Sequence, residues 1–339
     1  MAETAAHLVD HVLPHKNIRQ WVLTFPVPIR LCLAVRPKVM ARALEISHLV
    51  TSQYYRNKAG LSAKNSKSGA VTLIQRFGGS LNLNIHFHQL FVDGCYELSD
   101  KNEPIDFWVA APPTVKEIEE VLTKIIQKIT QYLERQKIII KDDNDGGFQI
   151  PIPDEDTLSK LQATSVTYRF ATGKSKGKKA IVLKSVTDTD HSATKGLVAK
   201  NSGFSLHAGV ATKAHERDKL EKICRYIARP AVSEERLSTD DYGNVIYRFK
   251  KPWDDGTTAL KLTPMELMER LVALVPRPRV HLTRYHGVLG PHYKHRKQIV
   301  PKPPELKVVC QDQDNIDPKQ LELKKKNIPW ARLLARVFN

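Results

Sequence analysis

The sequence predicts an α+β protein: an antiparallel central sheet, helices on one of its faces, and a small hairpin-and-helix unit attached. Three observations lead there. From Leu81 to Phe91 apolar and polar residues alternate with the period of a strand. Upstream, the apolar run Ala70 to Ile74 and the turn residues Gly78, Gly79 and Ser80 make that strand the second arm of a hairpin. Downstream, Thr114 and Glu117 form a capping box, followed by Ile118, Val121, Leu122, Ile125, Ile126, Ile129, Tyr132 and Leu133 as one apolar stripe at helical spacing.

Taken in order, a helix is expected around Ala5 to Leu13, and Trp21 to Phe25 is a short strand ended by Pro26 and Pro28. Helical spacing resumes over Val39 to Tyr55, before the hairpin and the capped helix. Asp142 to Gly147 is a loop, continued in extended form over Ile150 to Pro153. Phe204 to Val210 is a strand leading into a helix from about Ala214 to Ala228, which Pro230 stops. Val245 to Phe249 and Thr258 to Leu262 flank a turn-rich segment, and Thr263, Pro264 and Glu266 open a further helix that ends before Pro276. The histidine strand is expected at the centre of the sheet, with the helices at Thr114 to Gln136 and Ala214 to Ala228 on its apolar side. These elements are expected to divide the chain into a main domain at 1–230, an accessory unit at 231–305 and a tail at 306–339.

The 339 residues carry 53 Lys and Arg against 36 Asp and Glu, a net charge of +17 that favours a polyphosphate partner. No run is long and apolar enough for a membrane span, and Glu3 and Asp10 stand where a secretory signal would be basic, so a cytoplasmic protein is expected. Cys32, Cys95, Cys224 and Cys310 are too scattered for a metal knuckle or a disulfide framework. From Pro276 to Val300 the chain has no acid; Arg277, Arg279, Arg284, Lys294, Arg296 and Lys297 make it the expected phosphate-contacting segment. Lys174, Lys176, Lys178, Lys179 and Lys184 form a second basic cluster.

Strand period places Asn82, Asn84, His86 and His88 on one face of the histidine strand. Two imidazoles and two carboxamides there suit a divalent cation that polarises a phosphate oxygen; a half-exposed structural strand is the plainer alternative. A nucleophile is available in the helix before Pro230. At 100° per residue Tyr226 falls about 120° from the buried Leu220, on the flank of the apolar stripe. Lys219, Lys222 and Arg229 could line the same side and favour a phenolate.

Four segments together carry a family resemblance: G-A-V-T-L-I-Q-R-F-G-G-S-L-N-L-N-I-H-F-H (Gly69 to His88), F-S-L-H-A-G-V (Phe204 to Val210), R-Y-I-A-R-P (Arg225 to Pro230) and L-T-R-Y-H-G-V-L (Leu282 to Leu289). Over about residues 1 to 300 the chain closely resembles rolling-circle transposases of the HUH class, in the branch of insertion sequence ninety-one and its common-region relatives. The resemblance implies His86 and His88 as ligands of Mg²⁺ or Mn²⁺. It also implies Tyr226 as the nucleophile that forms a 5′-phosphotyrosine link to single-stranded DNA and frees a 3′-hydroxyl, with no nucleotide cofactor. Lys222 stands four residues before Tyr226, where some members have a second tyrosine, so the chain resembles the single-tyrosine branch. The cysteine-rich end modules usual in such proteins are not in this sequence, which resembles their catalytic middle; a truncated, non-catalytic DNA-binding remnant is the alternative. His207 and Gln75 are both candidates for a third metal ligand, with His207 slightly favoured.

Overall fold

The computed structural model describes residues 2–141, 148–150, 156–184, 197–253 and 255–302. Six strands make the central sheet: β1 (Ile18–Thr24), β2 (Gly69–Phe77), β3 (Leu83–Val92), β4 (Val198–Asn201), β5 (Phe204–Thr212) and β6 (Thr283–Gly287). Their spatial order is β4-β5-β1-β3-β2-β6, and every pairing is antiparallel. The histidine strand β3 is therefore interior, between β1 and β2, and the α+β expectation holds.

One face of the sheet carries the larger core. Trp21, Leu23, Ile74, Leu83, Ile85, Phe87 and Phe91 pack there against helices α2 (Val27–Val35), α3 (Pro37–Ala59) and α4 (Val115–Arg135). The capping box of α4 forms as its sequence predicts, Thr114 Oγ1 accepting from the Glu117 amide and Glu117 Oε2 accepting from the Thr114 amide. Burying each large side chain such as Phe87 contributes about 1.5–3 kcal/mol. Within this face Arg19 and Asp93 form a buried ion pair at 2.8 Å, and Tyr55 Oη donates to Asp93 Oδ1 at 2.9 Å. Trp21 Nε1 donates to the same Tyr55 oxygen at 3.0 Å, so the buried carboxylate is held by groups from two elements.

The other face corrects the expectation that helices lie on one side only. Leu90 and Val92 share the face of His86 and His88, and they are covered by α1 (Ala2–His11) and α6 (Arg217–Ile227) through Leu8, Val9, Leu220, Cys224 and Ile227. The helix expected on the apolar side thus packs on the histidine side. On this face β3 is polar only as far as His88; Leu90 and Val92 continue it as an apolar surface that draws α6 down beside the histidines.

β6 lies within the stretch 231–305 and pairs with β2 over Thr283↔Leu73 to Gly287↔Gly69, so this part of the chain also contributes to the central sheet. Gly287 has φ +58°, and a Cβ there would stand 1.9 Å from the Ser68 carbonyl oxygen, so only glycine closes this edge. The accessory unit itself is a four-stranded antiparallel sheet of Leu237–Thr239, Val245–Arg248, Thr257–Leu262 and Ile181–Lys184, with α7 (Pro264–Leu274) against it. Helix α5 (Thr157–Val166) packs between α7 and α2. The helix α2 begins with prolines at its first turn, where a missing amide costs nothing, so Pro26 and Pro28 start an element rather than only ending one. The loop at Asp142 to Gly147, Pro151 to Pro153, Cys310 and the tail at 306–339 lie outside the described residues.

Candidate active site

Directly paired residues of an antiparallel ladder share a face, so the register lays out the polar side of the sheet in rows. One row reads Gln75, His86, Thr24, Ser205; the next reads Leu73, His88, Val22, His207. Asn82 is not part of this surface. It precedes β3, accepting at Oδ1 from Ser80 Oγ at 2.9 Å inside the hairpin turn.

His86 and His88 lie with ring centroids 4.9 Å apart at 64°. His86 Nδ1 is 2.9 Å from the Asn84 carbonyl oxygen. A carbonyl only accepts, so Nδ1 carries the proton and Nε2 keeps its lone pair. The Gln20 side-chain amide lies 2.6 Å from His88 Nδ1 and orients that ring in turn. Burial is the main cause that lowers the basicity of both rings, with Arg229 adding to it, and His88 is pushed down to about 3. Both are neutral at pH 7, the form that binds metals. Arg30 of α2, which donates through Nε to the Phe25 carbonyl, also bears on His86.

Tyr226 sits at the C-terminal end of α6 with 49% of its surface exposed. Its ring is covered by the Arg229 guanidinium, 4.2 Å from the centroid, and Lys250 Nζ stands 5.8 Å from the same centroid. Arg229 is therefore common to both halves of the site, stacked on the tyrosine and acting on both imidazoles. The end of α6 is pinned by Gln75, whose amide nitrogen donates to the Ile227 carbonyl at 2.5 Å. A cleft of about 310 Å³ adjoins this junction, with Gln75, Arg76, Ile227 and Arg229 in its wall.

Not every expected residue joins. His207 is separated from His88 by Val22, and its ring leans along its own strand, where a Cβ on Gly209 would stand 3.1 Å from Nε2. Among the described residues no three His, Cys, Asp or Glu side chains gather as a metal-binding group, so His86, His88 and His207 do not form one. Gln75 lies directly across from His86, and Asn84 Oδ1, on the same face, is buried with no hydrogen-bond partner. Of the lysines, Lys219 pairs outward with Glu216 at 3.3 Å, while Lys222 is exposed.

The basic segment divides as well. Arg277 is an internal anchor, 2.8 Å from Asp156 Oδ2 and donating to Ser159 Oγ, and Arg296 Nε donates to the Leu289 carbonyl at 3.0 Å. Arg279, Lys294 and Lys297 are exposed; Arg284 is half-buried. His286 is spoken for, stacked on His48 at 4.5 Å and bonded to Thr72 Oγ1. Tyr285 packs into the core beneath α6.

Gln20, Arg30 and Lys250 escaped the sequence reading. Gln20 would have emerged from strand register alone, whereas the other two reach the site from distant elements and leave no local signal. No helix among the described residues is long and apolar enough to cross a membrane.

Neither the curated proteins nor the solved structures give a match to the chain. Residues 69–297, more than half of the 339, match the family model described as "Putative transposase", which spans β2 and β3, β5, Tyr226 and β6. By that match the chain belongs to this transposase family, whose business is DNA.

Proposed function

We propose that this transposase cuts single-stranded DNA with Tyr226 as the nucleophile, aided by a divalent cation, Mg²⁺ or Mn²⁺, at His86 and His88. The observation that carries this reading is the position of Arg229, stacked on Tyr226 and close enough to both imidazoles to depress their basicity. The Nε2 lone pair of His86 suits a metal, as does an amide oxygen from Gln75 or Asn84 as an additional donor. When bound, such a cation polarises the phosphate oxygen under attack.

Tyr226 Oη attacks the scissile phosphorus and the P–O3′ bond breaks. The phenol proton leaves to solvent, and the departing 3′ oxygen takes up one. The product is a 5′-phosphate ester on Tyr226 and a free 3′-hydroxyl. Arg229, stacked on the tyrosine ring, is placed to meet the negative charge that builds on the phosphate under attack. One phosphodiester replaces another, so the exchange reverses, or passes to another 3′-hydroxyl, without nucleotide hydrolysis.

A non-catalytic, DNA-binding protein is the second reading, favoured by the lack of a third His, Cys, Asp or Glu beside the histidine pair among the described residues. Incubation with end-labelled single-stranded oligonucleotide and Mn²⁺, followed by denaturing electrophoresis, separates the two. The expected result is a covalent adduct that Tyr226→Phe abolishes while DNA binding persists. Salt-sensitive binding with no adduct in the unmodified protein selects the second reading.

A further inference from the structure

Lys250 links the candidate site to a feature no sequence motif marked. It lies in the segment that joins Val245–Arg248 to Thr257–Leu262 of the small sheet, and its ammonium reaches to 5.8 Å from the Tyr226 ring centroid. Beside it, Phe249 and Trp253 stack with centroids 5.0 Å apart at 26°, and Tyr168 meets Trp253 edge-on at 5.8 Å and 86°. Phe249 and Trp253 are partly exposed, whereas Lys250 and Lys251 are exposed. Phe249 rests on the small core of Phe170, Leu260 and Leu262, which holds the stack in place from below.

We propose that this segment is a binding platform for unpaired nucleotides next to the scissile phosphate: Lys250 contacts the backbone, and the Phe249–Trp253 stack receives a base. Two properties favour DNA single strand over duplex. A flat aromatic face gains from stacking only when the base is free to leave its neighbours, and each such contact is worth a large factor in affinity. The cations flank the rings rather than forming a broad sheet of charge, which suits one strand tracked past a stacking surface. The segment also sits on a separate sheet from the histidines yet touches the tyrosine, so a strand lying on it would run straight to the nucleophile. The platform rests on the assignment of Tyr226 for its purpose, but its binding chemistry can be read without cleavage.

The test uses the Tyr226→Phe protein, in which no adduct forms, with a labelled oligothymidine and a duplex of equal length. Trp253→Ala should weaken single-strand binding about tenfold and duplex binding by less than twofold; Trp253→Phe should restore most of the loss. Tryptophan emission should be quenched by the oligothymidine, and much of that quenching should vanish in Trp253→Phe. Lys250→Gln, an exposed change that leaves the fold alone, should lower the single-strand salt slope by about 0.7. Unchanged single-strand affinity in both Trp253→Ala and Lys250→Gln overturns the platform, as does an equal loss for single strand and duplex. These readouts stand whether or not unmodified Tyr226 forms an adduct, so failure of the platform and failure of the nucleophile are told apart.

Discussion

Two histidine pairs lie on opposite sides of the central sheet. His86 and His88, both on β3, face α6; on the other side His286 of β6 stacks on His48 of α3 at 4.5 Å and 21°. Burial depresses basicity in both pairs, His48 to about 3 and His286 to about 4, alongside His88 at about 3. Proximity and weakened basicity are therefore shared. What differs is the use of the ring nitrogens. His286 gives Nε2 to Thr72 Oγ1, and His48 Nε2 meets Ser52 Oγ while its ring is held between His286 and Phe91. His86 is tethered by Nδ1 and keeps Nε2 for something else, and Arg229, which stacks on Tyr226, acts on it. Imidazoles become a candidate site by what their free nitrogen faces, not by their pKa.

The sharpest way to break this comparison is to remove one ring from each pair. His86→Ala or His88→Ala should cut adduct formation at fixed Mn²⁺ by at least about 100-fold, partly restored by excess metal, with folding nearly intact. His48→Ala should cost about 2–3 kcal/mol in urea unfolding and leave adduct formation per folded molecule unchanged. Loss of chemistry from His48→Ala without loss of stability would erase the distinction.

Acid should sharpen it next. The folded-state pKa values of these histidines lie below 6.5, so the unfolded chain binds more protons as pH falls. Stability present above about pH 6.5 should thus be lost progressively toward pH 4, and His48→Phe should flatten that loss. Saturating Mn²⁺ should raise the melting temperature at pH 7 in the unmodified protein and in His48→Phe, but not in His86→Ala.

Smaller effects concern the basic segment. Arg279, Lys294 and Lys297 each changed to Gln should lower the log–log salt slope of DNA binding by about 0.7–0.9. Arg277→Ala should leave the slope alone and cost about 1–2 kcal/mol of stability, because its partner Asp156 also caps α5. Tyr285→Phe, a change inside a packed core, should leave the adduct untouched.

The local grammar of the chain was readable. The Thr114 and Glu117 box, the alternation along β3 and the stripe of α6 each depend on neighbours within a few residues, and each appears where the pattern places it. The pair His86 and His88 and the flank position of Tyr226 came from the same short-range periods. What the sequence hid is long-range. Arg277 looked free because Asp156 lies 121 positions upstream, and β6 looked like an accessory segment because its partner β2 is some 214 positions away. The position of α6 is hidden for a related reason: Leu90 and Val92 share the histidine face, but their burial depends on which helix returns to cover them. His207 is an imidazole on the strand that leads into the Tyr226 helix, but β1 lies between it and His88, a separation only the strand order reveals.

One consequence of the strand order concerns how the gene can be cut. The family match begins at residue 69, yet β1 at Ile18–Thr24 is the seam between β3 and β5. A polypeptide started at the family boundary would hold both halves of the site on two unjoined ribbons, and its inner edges would be free to pair with other molecules. The segment matched by the family model and the folding unit are therefore different objects here. An exchange of modules between such elements would preserve the whole sheet only if the break fell upstream of Ile18.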